Sequence, residues 1–255
     1  MRLFDTHAHY DADAFDADRM EVLSSMPGQG VELILNPGCD LKSSQTAVEL
    51  AERFPFVYAA VGVHPEECAD WNAEHDIPVL EALAQNPKVR AIGEIGLDYH
   101  WAENPPRELQ QQAFHAQLEL AEKLDLPVIV HDRDAHHDCL DIVRAHPNVT
   151  GVYHCYSGGV EDAKTLMKLG WMISFTGSIT FKNARRALEV IDLLPLDRMM
   201  IETDSPYMSP EPFRGRRNDS GRVHLVAEAI ARRKGLDPEE VARITLGNGR
   251  RFFRI

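Results

Sequence analysis

Eight times along 255 residues, a short apolar run gives way to a stretch with helical spacing. The runs are Leu3 to His9, Val31 to Leu35, Val57 to Val63, Val89 to Glu94, Val128 to His131, Val149 to His154, Trp171 to Phe175 and Met199 to Asp204. Between them lie helical stretches such as Pro106 to Leu124, where Leu109, Ala113, Ala116, Leu120 and Leu124 recur at helical spacing behind an N-terminal proline. Strand and helix in alternation demand parallel strands joined by right-handed crossovers. Eight such units predict an α/β fold, a (β/α)8 TIM barrel, in a single domain over residues 1–255. A doubly wound open sheet is the competing arrangement. The strand count and the lack of a glycine-rich dinucleotide fingerprint after the first strand favour the barrel.

A barrel places the C-terminal ends of all its strands on one rim, where active sites assemble. On that rim fall His7, His9, His64, Glu94, His131, His154 and Asp204, each at or just past the end of a predicted strand. His7 and His9 are two apart, so they share one face of their strand, about 7 Å apart along the backbone. Any one of these side chains has an ordinary structural explanation: His154 as a hydrogen-bonded core histidine, Glu94 as a partner of Arg90 or Arg133. Seven together point to a metal site at the C-terminal rim.

Imidazole with carboxylate is a borderline donor set, suited to zinc, manganese, nickel, cobalt or iron more than to calcium. One ion normally takes three or four protein ligands. Six candidates, His7, His9, Glu94, His131, His154 and Asp204, exceed that number and suit a pair of ions about 3.5–4 Å apart, with Glu94 as the bridge. Two divalent ions, zinc, manganese or magnesium, are therefore the expected cofactors. Such a pair makes hydroxide available near neutral pH and offsets charge at the attacked centre. Asp204 is a candidate to ligate and also to hold the water's proton. Glu202, two residues back on the same face, is a candidate positioning group or acid/base; alternatively it is an interior carboxylate neutralised by Arg133.

The formal net charge of −13 argues against a broad cationic surface for nucleic acid. It leaves room for a phosphodiester substrate, because bound cations would neutralise carboxylates locally and Arg214, Arg216 and Arg217 follow the last strand onto the active rim. These three and Arg133 are the candidate substrate contacts, with Arg217 also a candidate for fixing the loop. Cys39, Cys68, Cys139 and Cys155 form no C-x-x-C pair and no small disulfide framework. With no signal-peptide core and no run of spanning length, a cytoplasmic protein with no membrane contact and no obligate protein partner is expected.

Asp5-Thr6-His7-Ala8-His9, Gly62-Val63-His64-Pro65, Gly93-Glu94-Ile95-Gly96-Leu97-Asp98-Tyr99, His131-Asp132-Arg133-Asp134-Ala135, His154-Cys155-Tyr156-Ser157-Gly158, Glu202-Thr203-Asp204-Ser205-Pro206-Tyr207 and Arg217-Asn218 occur in this order at strand ends. In this the chain resembles the TatD family of metal-dependent deoxyribonucleases, within the amidohydrolase-like barrels. The resemblance implies metal ligands at His7, His9, Glu94, His131, His154 and Asp204. It places His64 and Glu202 in the active site, His64 against the scissile phosphate or leaving group. It implies attack on DNA from an end, although some members act on other substrates, including aminoacyl esters of tRNA. One departure is Asp219-Ser220, where the family usually has an acidic residue followed by proline.

Three functions compete on these residues. The first is a metal-dependent deoxyribonuclease of exonuclease type, with DNA or another nucleic acid as partner. The second is hydrolysis of a carbonyl centre, such as an amide or an aminoacyl ester, and the third is a non-catalytic scaffold whose metals stabilise the barrel.

Overall fold

The computed structural model describes residues 1–255. Its strands are β1 (Leu3–Asp5), β2 (Val31–Pro37), β3 (Val57–Val61), β4 (Val89–Asp98), β5 (Val128–Arg133), β6 (Gly151–Tyr153), β7 (Met172–Phe175) and β8 (Met199–Ile201). They pair in sequence order, every pair parallel. The ring closes between the ends of β8 and β1, where Thr6 N donates to Ile201 O, Asp204 N to His7 O and His9 N to Ser205 O. The TIM barrel expected from the strand–helix alternation is the observed fold.

Around the strands run α1 (Arg19–Ser25), α2 (Leu41–Arg53), α3 (Ala73–Ala84), α4 (Arg107–Leu124), α5 (His136–Ala145), α6 (Val160–Lys168), α7 (Arg185–Leu193), α8 (Val223–Lys234) and α9 (Pro238–Phe253). Helices α2, α3 and α9 start on side-chain caps from Asp40, Asn72 and Asp237. At α2, for example, Asp40 accepts from Ser43 N at 2.6 Å and the Ser43 side chain returns the bond, closing a capping box. Between β1 and β2 the chain forms a 3-10 turn at Asp13–Phe15 and the short α1.

Two apolar layers hold the barrel. A cluster of 56 buried residues fills the space between strands and helices. A separate cluster of 11 lines the interior, with Phe4, Ala91, Ile129, Val152, Met172 and Met200 from six different strands. Helix α9 seals the lower end with Leu246 and Phe253, the latter ring 6.0 Å from Phe4. Buried on both faces, the strands read as near-continuous apolar runs.

Strand periodicity then dictates what stands above that layer. Two residues beyond Ile129, Val152 and Met200 come His131, His154 and Glu202, on the same inward face. Strand β4 breaks this rule. Ala91 faces inward and Ile92 outward, yet Ile95 and Leu97 also face the helices, because the β4–β5 register shifts between Ile92 and Ile95. That one-residue bulge turns Glu94 into the barrel mouth. The strand also continues past Glu94, its expected last residue, to Asp98.

Candidate metal centre at the barrel mouth

Glu94 is buried at the middle of the mouth with its two oxygens facing different histidines. Oε2 lies 3.2 Å from His7 Nε2 and 3.4 Å from His9 Nε2. The same two nitrogens stand 3.8 and 3.6 Å from Asp204 Oδ1, and 2.9 Å from each other. Oε1 lies 2.7 Å from His154 Nε2, 3.0 Å from His131 Nδ1 and 3.3 Å from His64 Nε2. His131 Nδ1 and His154 Nε2 are 3.3 Å apart. The structure thus gathers the other six rim residues named from the sequence around this one carboxylate.

These separations suit bound cations. Four donors about 2.1 Å from one ion lie about 3.4 Å from one another, and the distances among His7, His9, Glu94 Oε2 and Asp204 bracket that value. Two imidazole nitrogens facing each other and a carboxylate oxygen also exceed what one shared proton can satisfy. His7 Nδ1 and His154 Nδ1 are buried without hydrogen-bond partners. The donors gathered here, His7, His9, Asp204, Glu94, His131 and His154, are of the types that could hold divalent metal.

The protonation pattern follows from burial and from the histidine ring around Glu94. Burial would raise the Glu94 carboxyl, but His154, His64 and His7 hold it well below the usual range. Burial pushes the Asp204 carboxyl up to about 6. His7 is lowered to about 4, by burial and by His154, whose ring stacks on it at 3.9 Å. Burial also opposes a proton on His131, but its bonds to Asp98 and Glu94 carry it up to about 9.

His64 differs from the other histidines. Glu66 N donates to His64 Nδ1 at 3.2 Å, and burial holds the ring down to about 4, so it is neutral with its proton on Nε2. In that tautomer Nε2 is a donor, facing Glu94 Oε1 at 3.3 Å. Glu202 sits behind His154: its Oε1 accepts from Cys155 N at 2.6 Å and lies 3.5 Å from His154 Nδ1. Its contact is therefore with the back of His154, not with Arg133.

Several groups that shape the site were given no role from the sequence, although Asp5, Asp98 and Thr203 lie in the motifs quoted for it. Asp98 Oδ2 stands 2.9 Å from His131 Nε2. Asp5 accepts from Thr203 N at 2.8 Å and Thr203 Oγ1 at 2.5 Å, tying β1 to the turn that carries Asp204. Asp204 itself is held at φ 56°, a left-handed conformation that aspartate tolerates better than most residues. On α4, Gln110 brackets the Asp98 backbone and Gln117 that of Val63, each through one accepted and one donated bond. The available signal for Asp98 was a carboxylate at a strand end. It was hidden because β4 was expected to stop four residues earlier.

The rim arginines divide. Arg217 is engaged by Asp18 through both terminal nitrogens, at 2.8 and 2.6 Å, and donates to Ala14 O. Its guanidinium is committed to the loop. Arg214 lies over the Phe181 ring at 4.4 Å, and Arg133 over Trp101 at 5.1 Å. Arg216 extends from the same loop with its side chain exposed. At the departure from the family pattern, Ser220 N donates to Tyr10 OH at 2.9 Å, a bond that proline could not make. The four cysteines are free, and no helix is long and apolar enough to cross a membrane.

An eight-stranded parallel barrel with a histidine–carboxylate cluster at its C-terminal mouth defines the class of barrel metallohydrolases. Within that class the chain belongs to the TatD family, and it is a metal-dependent hydrolase: the family model described as TatD related DNase matches residues 4–254. It is 43% identical over 255 residues to the uncharacterized metal-dependent hydrolase YabD of Bacillus subtilis, covering 99% of each chain. It is 33% identical over 262 residues to the 3′-5′ ssDNA/RNA exonuclease TatD of Salmonella typhimurium, again covering 99% of each. The crystal structure of YJJV, a TatD homolog from Escherichia coli, superposes with a TM-score of 0.93 at 31% identity, covering 100% of this chain and 98% of that one.

Proposed function

We propose that this hydrolase is a nuclease of exonuclease type, cleaving phosphodiester bonds at the ends of single-stranded DNA with two divalent cations. The observation that carries the reading is the division of imidazoles between the two oxygens of Glu94, in a mouth bordered by arginines. The relative named as an exonuclease, 33% identical along its whole length, supports the same substrate class.

The proposed ligands are His7, His9 and Asp204 on one side of Glu94 and His131 and His154 on the other. Cations there would lower the pKa of water towards neutrality and offset charge on the attacked phosphoryl group. Asp204 would hold one cation through one oxygen and accept, through the other, the proton that water loses. His64 Nε2 is placed to donate a hydrogen bond to a phosphoryl or departing oxygen beside Glu94 Oε1. Glu202 acts through His154 as a positioning residue. Arg133, Arg214 and Arg216 meet the substrate's phosphates, while Arg217 holds the loop that carries two of them.

An acyl substrate would call for an uncharged pocket, whereas the pocket beside Tyr207 is lined by Arg214, Arg216 and Arg217. The test is to strip the protein of metal, restore magnesium, manganese or zinc, and follow a labelled single strand beside aminoacyl-ester and amide substrates. Progressive shortening of the strand from one end is expected, and it should vanish in Asp204→Asn and His64→Ala. Hydrolysis of esters or amides with the strand left intact would overturn the assignment.

A further inference from the structure

Five large apolar side chains are exposed on this protein: Trp101, Leu169, Tyr207, Met208 and Leu236. Three of them border the barrel mouth, on two opposite sides. Trp101 stands in the loop after β4 and Tyr207 and Met208 in the loop after β8. In a closed ring of eight strands, β4 and β8 are diametrically opposed, so the two loops face each other across Glu94.

Each side pairs an aromatic ring with a cation. Trp101, 46% exposed, packs 4.5 Å from the His100 ring and carries Arg133 over its face, only two residues beyond His131. Opposite, Tyr207 is 58% exposed, with its ring 6.5 Å from that of His9. It opens onto a groove of about 480 Å³ whose walls include Phe181, Met208, Arg214 and Arg216. On a chain of net charge −13, these cations gather where a phosphate chain would have to pass. Exposed rings next to arginines are the apparatus by which proteins hold unpaired bases.

The two sides are not equivalent. Past Trp101 two exposed carboxylates adjoin the cations: Asp134 lies 2.7 Å from His100, and Glu66 is a charge neighbour of Arg133. These carboxylates repel a continuing phosphate backbone, which favours the end of a strand over its middle on that side. The groove beside Tyr207 is open and cationic along its length.

We propose that a single strand crosses the mouth with its terminal nucleotide on Trp101 and Arg133 and the following nucleotides on Tyr207, Phe181, Arg214 and Arg216. This rests on the nuclease assignment and adds the strand's path and the side on which its end is read.

The test is competition binding of phosphorothioate DNA octamers to the manganese-loaded protein, with an abasic nucleotide placed in turn at each position. Trp101→Ala should weaken the intact octamer by about 5- to 150-fold, the range for loss of one stacked base. An abasic nucleotide at the cleaved terminus should weaken the wild-type protein similarly and cost nothing further in Trp101→Ala. Tyr207→Ala should couple in the same way to an abasic site two to four nucleotides from that end. Trp101→Phe and Tyr207→Phe should retain most of the affinity, which separates stacking from misfolding. Arg216→Gln should flatten the dependence of log affinity on log salt by about 0.7 to 1.

Additive losses in either pairing, or coupling of the terminal base to Tyr207 instead of Trp101, would overturn the proposal while leaving a nuclease. A wild-type protein that neither binds nor cleaves any strand would overturn both readings.

Discussion

Asp98 and His131 face each other at the end of adjacent strands, Oδ2 to Nε2 at 2.9 Å, with the opposite ring nitrogen of His131 turned on Glu94. A carboxylate on one imidazole nitrogen keeps the proton there and leaves the other lone pair free to ligate. Gln110 fixes the Asp98 backbone from helix α4, so the orientation of His131 is set by a residue on the barrel's outer layer.

Asp98→Asn should therefore lower metal affinity by about 10- to 100-fold, since supporting partners of ligating histidines carry effects of that size. Titration of the apoprotein with manganese would measure it. If the effect is on orientation, saturating metal should recover most of the turnover.

Gly96 stands at φ +140°, and a Cβ there would come within 2.0 Å of His131 O. Gly96→Ala must part the β4–β5 ladder beside His131. A loss of about 2 to 3 kcal/mol in denaturant unfolding is expected, together with a fall in metal affinity. An unchanged unfolding midpoint would refute this.

Removal of metal should leave the barrel folded, because apolar clusters of 56 and 11 buried residues hold its strands and helices together. At 100 times its dissociation constant, a bound ion adds about 2.7 kcal/mol, so chelation should lower the melting temperature by about 5 to 10 °C. Bonds to Asp98 and Glu94 raise His131 to about 9 against the effect of burial, so a cation must displace a proton below that pH. Apparent affinity should climb from pH 6 to about 9, with proton release visible as a buffer-dependent binding enthalpy.

Acid sensitivity has a second source away from the mouth. His115 Nδ1 on α4 lies 2.8 Å from His146 Nε2 after α5. Burial, then the neighbouring His146, holds His115 below its ordinary 6.5, with Glu119 opposing them. The unfolded chain therefore takes up this proton first as pH falls below 6.5, and stability drops until the folded ring is protonated as well. His115→Gln should narrow the gap between melting temperatures at pH 7.5 and pH 5.

What the sequence by itself determined is the barrel and the contents of its mouth. Apolar runs ending on histidine or carboxylate place those groups on one rim, and period-two alternation carries Ile129 to His131, Val152 to His154 and Met200 to Glu202. Local chemistry was enough, because strand direction and helix spacing are properties of neighbouring residues. Glu94 was placed at the rim from the sequence, but its turn into the mouth required the tertiary structure. Simple alternation from Ala91 would send it towards the helices, and only the register between β4 and β5 creates the bulge that turns it inward. The bond from Asp98 to His131, the commitment of Arg217 to Asp18 and the facing of Trp101 and Tyr207 across the mouth were likewise decided by folding. Each joins residues brought together by barrel closure, which no local pattern encodes.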